Sequence, residues 1–408
     1  MDQKRLRDYA KLLARTGINV QKGEEVWINA QLDQPEFVRM VVEELYLAGA
    51  GEVKVYWSDD QTRKLQYKYE KVSTLGKLKN FEIDKYKYQT KKFPAVLHII
   101  SEDPDVFKGV NQKKVAKARA KSYPKIKKYR DFIDGKYKWC IGAVPNVNWA
   151  KKVFPKLPAD EAVEKLWDAI LSTSRVDGND PIQNWENHNN TLISKREKLE
   201  SLKLVSLEYK SNNGTDFQVG LIPNMKWGAG IEQATGKSLY NPNIPTEEVF
   251  TTPMAGKAEG TLVASLPLSY QGELIEDFSM TFKDGKVVSV KAKKNQKLLE
   301  TMVKMDEGAS MLGEVALVPF SSPIRQTGIL FYNTLFDENA ACHCALGCGF
   351  VECLPGGLEM TPEEVKKAGV NDSMIHVDFM IGTKDLSIVG VDANGKRTQI
   401  FENGEWAI

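Results

Sequence analysis

The chain holds only four histidines in 408 residues, His98, His188, His343 and His376, and two of them keep unusual company. In Ser373-Met374-Ile375-His376-Val377-Asp378-Phe379-Met380 the apolar residues alternate as they do in a strand. Residues i and i+2 of a strand face the same way, so His376 and Asp378 converge on one point while their apolar neighbours face the other side. An imidazole and a carboxylate so placed can hold a cation, or can simply hydrogen-bond each other on an exposed face. Asp337-Glu338-Asn339-Ala340-Ala341-Cys342-His343 offers a second pair, Glu338 and His343, five residues apart. That spacing does not belong to one face of a regular helix, so a bend or a helix start is expected between them. Small residues in between let the backbone close around an ion. The plainer alternative is a helix N-terminus whose acids are stabilised by the dipole.

Two further glutamates are oddly placed. Glu314 opens the apolar run Val315 to Val318, where strand propensity favours a β-branched residue. Glu248 stands directly before the apolar pair Val249-Phe250. Each alone reads as a surface acid. Taken together, Glu248, Glu314, Glu338, His343, His376 and Asp378 supply four carboxylates and two imidazoles, all in the C-terminal half. Oxygen-rich ligation with a few imidazoles suits a pair of divalent ions with open positions. Two such ions about 3.5–4 Å apart share a bridging carboxylate and a water that loses its proton near neutral pH. The chemistry implied is attack of an activated water on a polarised carbonyl.

A competing metal reading concerns Cys342, Cys344, Cys348 and Cys353, which crowd around His343. Thiolates at that density can hold zinc or an iron–sulfur cluster, but their spacing matches no common framework. The stretch, with Ala345, Gly347 and Gly349, reads as a packed glycine-rich helix whose cysteines are small buried hydrophobes. His98, within the apolar run Ala95 to Ile100, and His188, on a predicted helix, read as core or hydrogen-bonding residues. Neither G-x-G-x-x-G nor G-x4-G-K-[ST] occurs, which weakens any nucleotide-binding reading of the N-terminal half.

The elements that must position these residues fall into two groups. Up to about residue 200, helical spacing (Leu6, Tyr9, Ala10, Leu13; then Phe37, Val41, Leu45) alternates with apolar strands (Val26 to Ile28; Val53, Val55, Trp57; Ala95 to Ile100; Trp139 to Ala143). Such alternation predicts a parallel sheet with helices. Helices through Val163, Leu166, Trp167 and Ile170, and through Trp185, Leu192 and Leu199, follow. Beyond Ser201 the pattern changes to hairpins: Val205, Leu207 and Tyr209 alternate, Ser211 to Gly214 turns, and Phe217, Val219 and Leu221 alternate again. Asp284-Gly285, Asn394-Gly395 and Asn403-Gly404 mark more turns, and one long helix is expected from about Gln296 to Met311. The expected fold is an α/β N-terminal domain with a parallel sheet, residues 1–200, and an α+β C-terminal domain with a largely antiparallel sheet, residues 201–408.

Composition narrows the class. With 42% apolar and 27% charged residues the chain is an ordinary globular protein. A formal net charge of +2 is too balanced to imply attraction to nucleic acid or to a membrane surface. The lysines from Lys113 to Lys128 are interleaved with apolar residues and read as a solvated helix face. No apolar run is long enough to span a bilayer, and the charged N-terminus is not a signal peptide. An odd number of cysteines, five, fits a reducing compartment, so a cytoplasmic location is expected.

Four ordered motifs, Asn243-Ile244-Pro245-Thr246-Glu247-Glu248-Val249-Phe250-Thr251, Leu312-Gly313-Glu314-Val315-Ala316-Leu317, Leu335-Phe336-Asp337-Glu338-Asn339-Ala340 and Ser373-Met374-Ile375-His376-Val377-Asp378, resemble those of the thermophilic metalloaminopeptidase family, of the aminopeptidase T, S and II type. Ala143-Val144-Pro145 and Trp149-Ala150-Lys151 extend the resemblance over the N-terminal half. It implies removal of N-terminal residues from peptides by two divalent ions, zinc or cobalt, with magnesium or manganese as further candidates. Carried over motif by motif, the ligands are Glu248, Glu314, Glu338, His343, His376 and Asp378, and Glu314, or else Glu247, moves the proton. The resemblance also implies a homodimer whose N-terminal domain encloses a cavity. One departure stands out. Seven residues after His343, where aminopeptidase T-like members have a tyrosine, this chain has Phe350. A phenol can donate to a developing oxyanion and a phenyl ring cannot. Two other readings keep the same site: a metal-dependent dipeptidase or amidase, and a non-catalytic metal-binding homologue.

Overall fold

Ala95–Ile100 is an unbroken apolar strand, and it lies inside a four-stranded parallel sheet with its side chains almost wholly buried. The order across that sheet is Glu52–Ser58, Glu25–Gln31, Ala95–Ile100, Trp139–Ala143. The computed structural model describes residues 2–408. The chain divides into two compact units, Met1–Glu186 with Ile231–Ile244, and Asn187–Gly230 with Pro245–Ile408. The parallel sheet belongs to the first. Its helices follow the predicted spacing: Gln3–Leu12 buries Leu6, Tyr9 and Ala10, and Pro35–Ala48 buries Phe37, Val41 and Leu45 before stopping at Gly49, whose φ of 115° suits only glycine. The lysine-rich helix Gln112–Ile133 buries only Ala118 and Ile133, as a solvated face does.

The second unit holds two antiparallel sheets. One has nine strands. The other has five, in the order His376–Met380, His343–Gly347, Leu312–Leu317, Val249–Thr251, Gly228–Ala229. Both turn apolar faces into one buried cluster. Leu207, Phe217, Val219, Phe278, Phe282 and Ile388 enter from the nine-stranded sheet, and Val249, Val315, Leu317, Cys344, Leu346 and Phe379 from the five-stranded one. At about 25 cal/mol per Å² of apolar area removed from water, this shared cluster is the main source of the unit's stability. The Asp284-Gly285 turn joins two long strands with φ of 50° and 78°, the paired left-handed geometry of a tight hairpin.

Two expectations are corrected. The helix expected over Gln296 to Met311 ends at Met302. The Asp306 carboxylate instead accepts from Ala309 N, Met374 N and Ser373 Oγ, and Gly308 packs so closely on Asp372 O that a Cβ would lie 2.0 Å from it. Tertiary bonds outcompete the helical ones there. The glycine-containing stretch after His343 is a strand, His343–Gly347, not a helix. Its residues alternate between the apolar cluster (Cys344, Leu346) and the opposite face, a period of two that the small residues concealed.

Candidate metal centre

The side of the five-stranded sheet turned away from the apolar cluster carries the chemistry. Across its rows Glu314 pairs with Ala345, which pairs with Asp378; Ala316 pairs with His343; Gly347 pairs with His376. Directly opposed residues of an antiparallel pair face the same side, so His343, Glu314, His376 and Asp378 all point one way. The residues between them are Ala316, Ala345 and Gly347, which leave the space open. Glu248 precedes Val249, a core residue, and joins from the neighbouring strand's entry. Gly347 (φ 109°) and Gly313 allow the strand ends to close up: a Cβ on either would lie about 2 Å from a carbonyl oxygen, at 2.0 Å from Ile375 O and 2.2 Å from Cys348 O.

Two clusters result. Glu248, Glu314 and His343 each offer a ligand atom, all within 4.8 Å of one another, and Glu314, His376 and Asp378 do the same. Glu314 belongs to both. His343 Nε2 lies 3.4 Å from Glu248 Oε2, and His376 Nε2 lies 3.2 Å from Glu314 Oε2 and 3.3 Å from Asp378 Oδ1. Each imidazole is held from behind. His343 Nδ1 donates to Ala341 O at 3.2 Å, and His376 Nδ1 to Cys348 O at 2.7 Å. A backbone acceptor on Nδ1 fixes the ring and leaves Nε2, the atom that faces the carboxylates, as the one available to a metal.

The groups perturb one another. Burial, reinforced by the charges of Asp378 and Glu248, pushes the Glu314 carboxyl up to about 7 against the opposing pull of the histidines. Burial, with Asp378, Glu248 and Glu314 adding to it, pushes Glu338 well above its ordinary range. Burial disfavours the charged form of His343, yet Glu248 and Glu314 outweigh it and raise the ring to about 9. His376 is raised to about 12, its burial overcome by Asp378 and Glu314. Asp378 stays below its usual value because His376 outweighs its burial.

This donor set fits divalent metal. Asp378 Oδ1 is buried and accepts no well-formed hydrogen bond, although His376 Nε2 is 3.3 Å away. Four carboxylates buried or half-buried together need positive charge that two imidazoles do not provide. The nitrogen–oxygen separations of 3.2–3.4 Å also match ligand atoms around one ion, since bonds of about 2.0–2.1 Å in tetrahedral array leave about 3.3 Å between ligands.

Of the six residues singled out by sequence, five fall in the two clusters. Glu338 stands on a single 3-10 turn, Glu338–Ala340, that follows the short helix Thr334–Asp337. It lies outside both clusters but close enough for Asp378, Glu248 and Glu314 to act on its charge. The turn is the bend that the five-residue spacing to His343 demanded. Neither cluster includes a cysteine, and Cys342 and Cys344 sit in the apolar cluster, on the other side of the sheet. Glu247, 4% exposed, approaches His188 rather than either cluster, with 3.8 Å from Oε2 to the ring Nε2. His188 Nε2 also donates to Thr246 O at 2.8 Å, so this histidine braces the Glu248 loop. Phe350 lies beside the centre, its ring 4.9 Å from that of His376 and 5.3 Å from that of Phe250. Two residues escaped the sequence reading. Asp337 is a buried acid that accepts from Phe331 N and Asn333 N, and Asn339 is fully buried between the ligand-bearing segments. Neither has a sequence signal beyond lying next to Glu338.

A buried carboxylate–imidazole centre on an antiparallel sheet is a candidate divalent-metal site, and comparison with known proteins supplies the family and the reaction class. The model of the thermophilic metalloprotease family (M29) matches residues 2–406. The chain therefore belongs to that family and is a metalloaminopeptidase, a hydrolase of peptide bonds. It is 40% identical to aminopeptidase AmpS of Bacillus subtilis over 99% of this chain and 98% of that one. It is 37% identical to aminopeptidase T of Thermus thermophilus over 100% of this chain and 99% of that one. The solved structure of wild-type AmpT from Thermus thermophilus superimposes with a TM-score of 0.92 at 36% identity, covering 100% of both chains. The expected fold, a parallel α/β half and a largely antiparallel α+β half, is the one found.

Proposed function

We propose that the centre would hold two divalent ions, with Glu314 a ligand available to both, and that the enzyme releases N-terminal residues from peptides. The observation that carries this reading is the sharing of Glu314 by two ligand clusters, each ending in an imidazole whose Nδ1 is fixed by a backbone carbonyl. Glu248 and His343 would hold one ion, His376 and Asp378 the other, with Glu338 completing the set. Four carboxylates and neutral imidazoles then balance two divalent charges. When bound, such ions polarise a scissile carbonyl and acidify a water toward neutral pH.

The chain's own residues do the rest. Glu314, the one acid that belongs to both clusters, is the group assigned to take a proton from the attacking water and return it to the departing amine. His343 and His376 keep their Nε2 atoms aimed because their other nitrogens are engaged. Phe350 and Phe250 set apolar surface beside His376. Phe350 offers no hydroxyl, so oxyanion stabilisation falls to the ions rather than to a side chain at this position.

Zinc or cobalt is the proposed metal, with magnesium or manganese as alternatives. A cytoplasmic homodimer acting on peptides, with no nucleic-acid or membrane partner and with the catalytic groups confined to residues 201–408, completes the proposal. Among the described residues no helix is long and apolar enough to cross a membrane. The test is release of p-nitroaniline from aminoacyl-p-nitroanilides, before and after chelation and on re-addition of each metal. Loss on chelation, recovery with metal, and no cleavage of the N-acetylated substrate are expected. Chelator-insensitive release would refute the metal reading, and cleavage of blocked peptides would refute the N-terminal one. Activity confined to free dipeptides would favour the dipeptidase reading.

A further inference from the structure

Glu248 and Glu338 lie 90 positions apart, on a loop and on a 3-10 turn, neither of which belongs to the rigid strand array that fixes Glu314, His343, His376 and Asp378. Something must hold them in place. The Asn339 side chain is wholly buried and engages both segments. Its Oδ1 accepts from Glu247 N at 2.7 Å and from Thr246 Oγ1 at 3.3 Å. Its Nδ2 donates to Leu335 O at 3.0 Å and to Glu338 Oε1 at 3.4 Å. The Asn339 carbonyl in turn accepts from Ser322 Oγ at 2.7 Å, which fixes the turn that carries it.

An amide accepts on one branch and donates on the other, and both are used here. The acceptor branch holds the peptide unit immediately before Glu248. The donor branch touches a Glu338 oxygen and leaves the other free. We propose that Asn339 is a positioning residue for the metal centre: it ties the Glu248 loop to the Glu338 turn, so that the two carboxylates arrive together. The proposal rests on the metal reading above. It adds that this side chain, alongside His188, sets the loop's place, which is not left to packing alone. Partners that orient ligands from behind commonly contribute 10–100-fold in metal affinity.

The test compares full-length wild type with Asn339→Ala and Asn339→Asp. The aspartate keeps the shape and the acceptor toward Glu247 N but removes the donor and sets a like charge beside Glu338. Zinc and manganese binding is titrated calorimetrically on chelator-treated protein, and melting is followed with and without metal. Both variants are expected to bind metal about 10–100-fold more weakly and to lose most of the metal-induced rise in Tm. Circular dichroism of the metal-free variants shows which are folded, which separates positioning from folding, and a folded variant should recover kcat at high metal concentration. If Asn339→Ala does not fold, Asn339→Asp alone decides. Wild-type metal affinity in a folded variant would overturn the proposal while leaving the metal reading intact. Failure of the wild type to bind metal would instead overturn the metal reading.

Discussion

Glu314 and Asp378 stand in one row across three strands, with only the Ala345 methyl group between them. Neighbouring strands are about 4.8 Å apart, so their Cα atoms are about 10 Å apart and the two carboxylates can converge only over a small central residue. Ala345 is fully buried. Ala345→Val is expected to cost about 1–3 kcal/mol of stability through overpacking and to abolish binding at the Glu314–His376–Asp378 cluster. Metal stoichiometry of the folded variant, measured by elemental analysis, checks this; full occupancy would show that the space above Ala345 is not needed.

Glu314→Gln keeps the shape but removes the charge and the proton acceptor that both clusters share. A drop in kcat of about 10²–10⁴-fold is expected, the range for loss of a positioned acid–base group. Because Glu314 serves both clusters, bound metal should fall as well. Steady-state kinetics paired with metal analysis tests this, and unchanged metal content would restrict Glu314 to proton transfer.

Removing metal should make stability strongly pH-dependent. In the metal-free chain His343 is raised to about 9 and His376 to about 12, above their unfolded value of about 6.5. Each therefore contributes stability that is full below about pH 6.5 and is lost as pH rises through its folded value. Glu314, raised to about 7, acts in the same direction from about pH 4.5 upward. Asp378 is lowered, so its contribution is lost only in acid. The Tm of chelated protein should fall between about pH 6 and 9, and metal should restore more stability at pH 9 than at pH 6. Melting curves across that range, with and without metal, would refute the account if the metal-free Tm rose with pH.

The Phe350 ring packs against His376 and Phe250. Aromatic pairs of this kind contribute about 0.5–1.5 kcal/mol beyond their area. Phe350→Leu should loosen His376 and lower kcat/KM several-fold. Phe350→Tyr keeps the ring and adds a hydrogen-bond donor beside the centre, so it should equal or exceed the wild type in kcat, by up to about tenfold. Kinetics at matched metal content decide; a tyrosine variant as weak as the leucine variant would mean that ring packing is not what Phe350 supplies.

Much of this protein is written locally. Strand alternation placed His376 and Asp378 on one face, the tight-turn pair Asp284-Gly285 marked its hairpin, and the rarity of histidine directed attention to His343 and His376. These are short-range signals, in which each residue's type and its immediate spacing are enough. The strand after His343 was hidden because Ala345 and Gly347 carry no period of their own, and the helix after Gln296 was cut short by bonds from Asp306 to residues some 67 positions away. Sequence also could not place Glu338 outside the two clusters, set Cys342 and Cys344 on the opposite face, or reveal the Asn339 clamp. Those outcomes depend on strand register and on side chains meeting across long loops. A one-residue slip would turn the strand-borne ligands into the apolar cluster, so it was the packing of that face, summed over the whole unit, that decided where the chemistry stands.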